Sequence, residues 1–290
     1  MSGLVTQNFQ WEFDGLLLGA GTPYGVTAAP GFLDLSGVRA NFTPRARAHG
    51  GYSEPHFGGG AVLDVEFDIS ATSSSTFAAA VVALEAATYP QSAGTRPLWW
   101  LLPGHPLLTM AVQCLRRSIP LETAFAFGLV SKAALQFYAP DPLKYGAPLP
   151  ASTGLPAASG GLVYPLAYQL AYGSPAGGRV SCANAGSAPT SPTFTINGPI
   201  DAAGWQVTSI EDGVTATYTG PLGSLDSVVY TPSNGRAALN VTADRSNLLS
   251  STTYPFPPIP AGATRTYAFS TLGTYQAAAS MAVAWAPAYW

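Results

Sequence analysis

Residues 62–70 read VLDVEFDIS, and residues 73–90 follow as SSSTFAAAVVALEAATYP. In the first stretch Leu63, Val65, Phe67 and Ile69 alternate with Asp64, Glu66 and Asp68. Period two with one apolar side predicts a half-buried β-strand. In the second, the serine run offers an N-cap. Phe77, Val81 and Leu84 share one face, and Pro90 follows the end. That pattern predicts one amphipathic helix over about 75–89, the only convincing one in the chain. Strand alternation resumes after it. In LLTMAVQCLRR (107–117), Leu108, Met110, Val112 and Cys114 fall on one side, and AALQFYAP (133–140) ends at Pro140.

After residue 140 the texture changes. Residues 147–178 are rich in Pro, Gly, Ala and Ser, with apolar patches such as LVYPLAYQL but no helical period. They read as a link with a long excursion or an early strand. From 179 to 290 the chain is a series of short strand-like runs: TFTIN, WQVTS, VTATY, SVVYT, RAALN, TRTYAF and SMAVAW. Gly, Pro, Asn and Asp separate them. Asn197-Gly198, Asp212-Gly213 and Asn234-Gly235 are hairpin-turn dipeptides, which predict tight reversals. Three parts result: a β domain with one helix over 1–146, a linker or excursion over 147–178, and an antiparallel sandwich over 179–290. The expected class is mainly β, with two β-sandwich-like domains.

Composition narrows the function. Charged residues make up 9% of the chain and hydrophobic ones 47%, against a usual charged share of roughly 25%. Two surfaces fit such a chain: one of small neutral residues, or one committed to permanent partners. The net charge of −3 and the presence of only two lysines, Lys132 and Lys144, argue against sequence-specific nucleic-acid binding. The opening MSGLVTQNFQWEF has no basic stretch followed by an apolar run, and no uninterrupted apolar stretch reaches the roughly 18 residues of a spanning helix, the alanine-rich run after Phe77 being broken by Glu85. The expectation is a chain made in a cytoplasm, without membrane insertion. NFT at Asn41 and NVT at Asn240 then read as coincidental sequons.

Candidate chemistry is sparse. Asp64, Glu66 and Asp68 lie on one strand, whereas paired catalytic carboxylates face each other across a cleft; they read as a wet strand face. His49, Glu54 and His56 share a glycine-rich loop that lacks the rigid support of a metal site. His105 sits in a PGHP turn. Cys114 and Cys182 stand in different parts of the chain, without CxxC or Cys/His spacing, and read as core residues. No GxSxG elbow, P-loop or dinucleotide fingerprint occurs. No catalytic, cofactor-binding or metal-ligating residue is assigned, no cofactor is expected, and the chain does not read as an enzyme. Trp99, Trp100, Trp205, Trp285 and Trp290, with Tyr218, Tyr230, Tyr254 and Tyr267, are either core or, where exposed, platforms for sugar rings. Trp205 is the first platform candidate.

Several weak cues occur in a telling order: the W-x-F-x-G start at Trp11, GTPYGV at 21–26, the Gly31–Arg39 segment, the His49-Gly50 loop, and FYAPDPLKYG at 137–146. TFTINGPI, SVVYTPSNGRAALN and PIPAGATRTYAF follow in the second part. In this order the chain resembles the distal tail proteins of long-tailed bacteriophages, over essentially its whole length. It departs from that pattern at Gly60-Ala61, where relatives carry an arginine. The resemblance implies a non-enzymatic virion protein of the tail tip whose first domain closes into a ring, usually a hexamer. The ring would join the tail tube to the tip hub, with the tape-measure protein nearby. It also implies a galectin-like or carbohydrate-binding-module-like second domain that projects outward and carries receptor-binding parts. The alternative is an adhesion module whose sandwich contacts host glycan.

Overall fold

A computed structural model describes residues 3–90, 94–158 and 175–290. The apolar patch at 162–170, with the rest of 159–174 in the expected excursion, lies outside the described residues. The elements run β1 (Gln10–Phe13), β2 (Leu16–Gly19), β3 (Tyr24–Ala28), β4 (Val38–Arg39), β5 (Phe42–Pro44), β6 (Gly51–Ser53), β7 (Phe57–Gly58) and β8 (Ala61–Ser70). Helix α1 (Ser74–Ala87) follows, then β9 (Arg96–Leu101), β10 (Leu108–Ser118), β11 (Leu129–Ala139) and β12 (Lys144–Tyr145). The remainder is β13 (Leu149–Gly154), β14 (Ala157–Ala158), β15 (Pro175–Ala176), β16 (Arg179–Ala183), β17 (Thr193–Asn197), β18 (Trp205–Ser209), β19 (Thr215–Tyr218) and β20 (Ser227–Thr231). It closes with β21 (Arg236–Leu239), β22 (Ala243–Asp244), β23 (Leu249–Ser251), β24 (Thr264–Thr271), β25 (Ser280–Trp285) and β26 (Ala288–Tyr289). The protein is mainly β with one α-helix among the described residues. It forms two compact units, 1–147 with Tyr289 and Trp290, and 148–288. No described helix is long and apolar enough to cross a membrane.

In the first unit the main sheet has the order β2-β1-β9-β10-β11-β8-β3, antiparallel at each of these pairings. The alternation of β8 is realised in full: Leu63, Val65, Phe67 and Ile69 are completely buried. Helix α1 starts where Ser73 accepts from Thr76 N–H while the Thr76 hydroxyl accepts from Ser73 N–H, a reciprocal cap. It ends where the Thr88 hydroxyl donates to Leu84 O. Phe77, Ala80, Leu84 and Ala87 are its buried residues, and Val81 sits on the margin of that face. The Tyr24 hydroxyl donates to Ala80 O at 2.6 Å and ties the helix to β3.

On β10 the alternation stops at Cys114. The ladder with β11 shifts between Cys114 and Arg116, so Leu115 is the extra residue of a bulge and is 59% exposed. Two glycines are fixed by close backbone approach. A Cβ on Gly19 would lie 2.0 Å from Phe9 O, and one on Gly31 would lie 2.3 Å from Val62 O; both have positive φ.

The second unit is a sandwich of two sheets, β13-β25-β17-β20-β21-β22 and β16-β24-β18-β19-β23. Phe194, Tyr230 and Met281 from the first sheet share one core with Cys182, Trp205, Tyr218 and Tyr267 from the second. Phe194 meets Tyr267 edge-on at 5.0 Å, and Trp205 stacks on Tyr218 at 5.4 Å. Residues 149–154 supply an edge strand, paired with β25 over its whole length.

The three turn dipeptides diverge. Asp212-Gly213 and Asn234-Gly235 do close hairpins, but within connections of five and four residues in which only the glycine is left-handed. Asn197-Gly198 is not a hairpin turn. Asn197 ends β17 in one sheet and the chain crosses to β18 in the other. Glycine is required at 198 because Gly223 O lies 2.1 Å from where its Cβ would stand.

Candidate assembly surfaces

Asp64, Glu66 and Asp68 stand on the outer side of β8, opposite its buried residues. Asp68 accepts from Lys132 N–H at 2.9 Å, a contact that fixes the irregular start of β11. His49, Glu54 and His56 are all exposed. Glu54 accepts from the Thr43 hydroxyl, and the His56 ring meets Phe42 edge-on. His105 is exposed in its turn, with its N–H bonded to Leu102 O. Among the described residues no three His, Cys, Asp or Glu side chains gather as a metal site. Cys182 is fully buried, and burial pushes its thiol up to about 12; Cys114 is half-buried at the bulge, and burial raises its thiol too.

The aromatic candidates divide sharply. Trp99 and Trp100 are buried in β9. Trp205 is fully buried, so the sugar platform expected there does not exist: the alternation of β18 turns it into the sandwich interior, onto Tyr218. Tyr218, Tyr230 and Tyr267 are buried beside it, and burial raises all three hydroxyls, that of Tyr230 to about 12. The Trp285 ring is buried and its Nε1–H donates to Ala183 O. Only Tyr254 and Trp290 of the group are more than half exposed.

Residues 37–59 are the part of the first unit that sequence reasoning missed. They form a narrow arm. At its root β4 pairs with β7, Val38 opposite Gly58. Further out β5 pairs with β6, Phe42 opposite Ser53 and Pro44 opposite Gly51. His49 and Gly50 lie at its turn, closed by Arg45 N–H on Gly50 O. Almost every residue of the arm is exposed, including Val38, Phe42, Tyr52 and Phe57. A two-stranded ribbon without a core is marginally stable alone. Its own stabilising contacts are few: Arg45 lies over the Tyr52 ring at 5.2 Å, and Phe42 meets His56. The arm carries Arg39, Arg45 and Arg47 against the single acid Glu54, while the outer side of β8 carries three acids. One unit thus presents an apolar, basic projection and an acidic sheet face. No periodicity marks the arm in the sequence. The one local signal was the glycine-rich stretch around His49-Gly50.

No family model matches the chain, and no curated protein does. Solved structures do share its fold. The SPP1 Dit (gp 19.1) protein, described as a paradigm of the hub adsorption apparatus in phages infecting Gram-positive hosts, aligns at a TM-score of 0.66 and 12% identity. That alignment covers 98% of this chain and 100% of Dit. Two structures of the phage P2 baseplate in its activated conformation, one with Ca and one with Sr, align at TM-scores of 0.53 and 0.54. Their identities are 9% and 10%, and in both 95% of this chain and 97% of the other are covered. The chain therefore has the fold of phage hub and baseplate proteins.

Proposed function

We propose that this chain is a structural protein of a bacteriophage tail tip. Copies of residues 1–146 close into a ring, a hexamer, that joins the tail tube to the tip hub and baseplate. The 179–290 sandwich stands outward and anchors peripheral or receptor-binding components. The ring's partners are further copies of the chain, the tube protein, the hub and the tape-measure protein, and its place is the virion.

The observation that carries this reading is a fold likeness to a phage hub protein over 98% of one chain and all of the other. The arm supports it independently. Exposed apolar residues on a ribbon without a core suit a surface that a neighbour covers. Opposite charges on the arm and on β8 suit head-to-tail contacts, which close into rings when the rotation allows.

The test is direct. Gold-labelled antibody against the chain is applied to purified virions and imaged by electron microscopy. Label at the distal end of the tail, with a cross-linking ladder of the purified protein ending at six, is the expected result. Virions that lack the protein in mass spectrometry overturn the assignment.

A further inference from the structure

Two features of the first unit, outside the arm, lie at opposite ends of β10. Before the strand begins, the 102–107 loop and the 29–34 turn wall a cavity of about 430 Å³. That is a volume in the range of small-molecule-sized pockets. Phe9, Trp11, Phe32 and Leu33 supply its apolar lining, with Asp34 and His105 beside them. Phe9 and Phe32 meet the Trp11 ring edge-on at 5.9 and 6.0 Å. Trp11 is completely buried, and its Nε1–H has no hydrogen-bond partner among the described residues. Phe9 and Leu33 remain 54% and 64% exposed.

After β10 ends, the chain makes the 3-10 turn Thr123–Phe127. Phe125 turns inward onto Phe77 at 5.1 Å, and left-handed Gly128 closes the turn with its N–H on Phe125 O. With Phe125 anchored, Phe127 is 84% exposed and Leu121 78%. This projection is held by a fixed turn. In the chain exposed Arg116 and Lys132 stand before and after it and exposed Glu122 within it, a net positive set, while the cavity presents exposed Asp34, with Lys144 buried nearby. The eleven residues of β10 span roughly 35 Å, so the projection cannot reach the cavity of its own copy.

We propose that Phe127 and Leu121 of one copy enter the Trp11 cavity of the next. Asp34 then faces the basic flank of the incoming turn, and the two entering side chains cover the exposed faces of Phe9 and Leu33. The occupant is a second copy because knob and hole, with charges of opposite sign beside them, occur on one chain at opposite ends of one strand. Two different patches make the contact heterologous, hence repeatable from copy to copy. This inference rests on the assembly role proposed above and names one of its contacts.

The experiment uses two full-length variants at exposed positions, Phe127→Asp and Leu33→Lys, each checked for native fold by circular dichroism. Self-association is followed by sedimentation. Each variant alone is expected to lose it, with a dissociation constant raised about 30-fold or more, the cost of losing an aromatic anchor. Mixed one to one, they are expected to give a dimer and nothing larger. The Leu33→Lys copy still offers a knob, the Phe127→Asp copy still offers a hole, and the remaining ends are dead. A mixture that stays monomeric while the unmodified chain assembles overturns the contact. So does either variant assembling normally, or an unmodified chain that stays monomeric at every concentration. Labelled tail tips with assembly indifferent to these variants sink this contact alone. Unlabelled virions with a capped dimer sink the tail assignment alone.

Discussion

Phe194, Trp205, Tyr218, Tyr230 and Tyr267 meet inside the second unit, each at most 2% exposed. Phe42, Tyr52 and Phe57, on the arm of the first unit, are 63%, 61% and 61% exposed. Similar side chains thus do different work. In the sandwich two sheets face each other, and every inward ring finds partners 5–7 Å away. The arm has one ribbon and no second layer among the described residues, where its ring contacts are one edge contact and one cation over a ring. Exposed rings cost solubility. In the proposed assembly a neighbouring copy covers them.

The contrast is broken most forcefully by truncating one ring on each side. Trp205→Ala removes a fully buried indole stacked on Tyr218, and is expected to lower the stability of the second unit by about 3–5 kcal/mol. Urea unfolding followed by near-ultraviolet circular dichroism reads this loss. Replacing Phe42, Tyr52 and Phe57 together by serine is expected to leave the unfolding free energies within about 0.5 kcal/mol of the unmodified chain. The same triple variant is expected to abolish self-association in sedimentation. A triple variant that unfolds early, or one that assembles normally, removes the distinction between the two sets of rings.

How much of this was legible in the sequence follows from how local each signal is. The strand at β8, the helix and its serine cap were readable because their information lies within a few residues: period two for the strand, one reciprocal cap for the helix. The strands of the second unit were readable for the same reason. The bulge that exposes Leu115 was not, because the mismatch is set by Gln136 and Phe137 of β11, distant in the chain. Nor was the fate of Trp205, since alternation says that one side of a strand is covered and not which residues cover it. Asn197-Gly198 misled because its glycine answers to Gly223, a neighbour from another loop. The arm was hardest, since what defines it is a missing layer. Only its glycine-rich surroundings stood out, and those suggested a loop.

A smaller effect separates the helix from the arm within the first unit. Ser73→Ala deletes the acceptor for Thr76 N–H and is expected to cost about 1 kcal/mol. Thermal unfolding is expected to move down by a few degrees, with self-association retained because Ser73 is on neither the arm nor the Leu121–Phe127 projection, although Phe77, one turn on, anchors Phe125. Ser73→Asp, which restores an acceptor at the N-terminus of the helix, is expected to recover the loss. A cap variant that assembled poorly at full stability would place the helix terminus in the interface.

The smallest effect concerns acid, and it belongs to the second unit. Backbone N–H groups of Thr274 and Ala203 hold the Asp201 carboxyl below its usual range. Asn240 and Gly223 N–H do the same for Asp226, and Ser246 for Asp244. A carboxyl depressed in the folded state binds its proton more readily when unfolded. Its contribution is therefore complete above the unfolded value, about pH 4, and is lost as pH falls through the lower folded values. All three groups are solvent-exposed, so the share of each is small. The expected outcome is a second-unit unfolding midpoint that is flat from neutral pH to about 4 and then declines. In the triple Asp→Asn variant the decline below pH 4 should be shallower, from a lower plateau. A variant whose acid slope matches the unmodified chain would move the acid sensitivity out of these loops. The interior tyrosines of the sandwich do not titrate in that acid range, since burial pushes their hydroxyls upward, away from it.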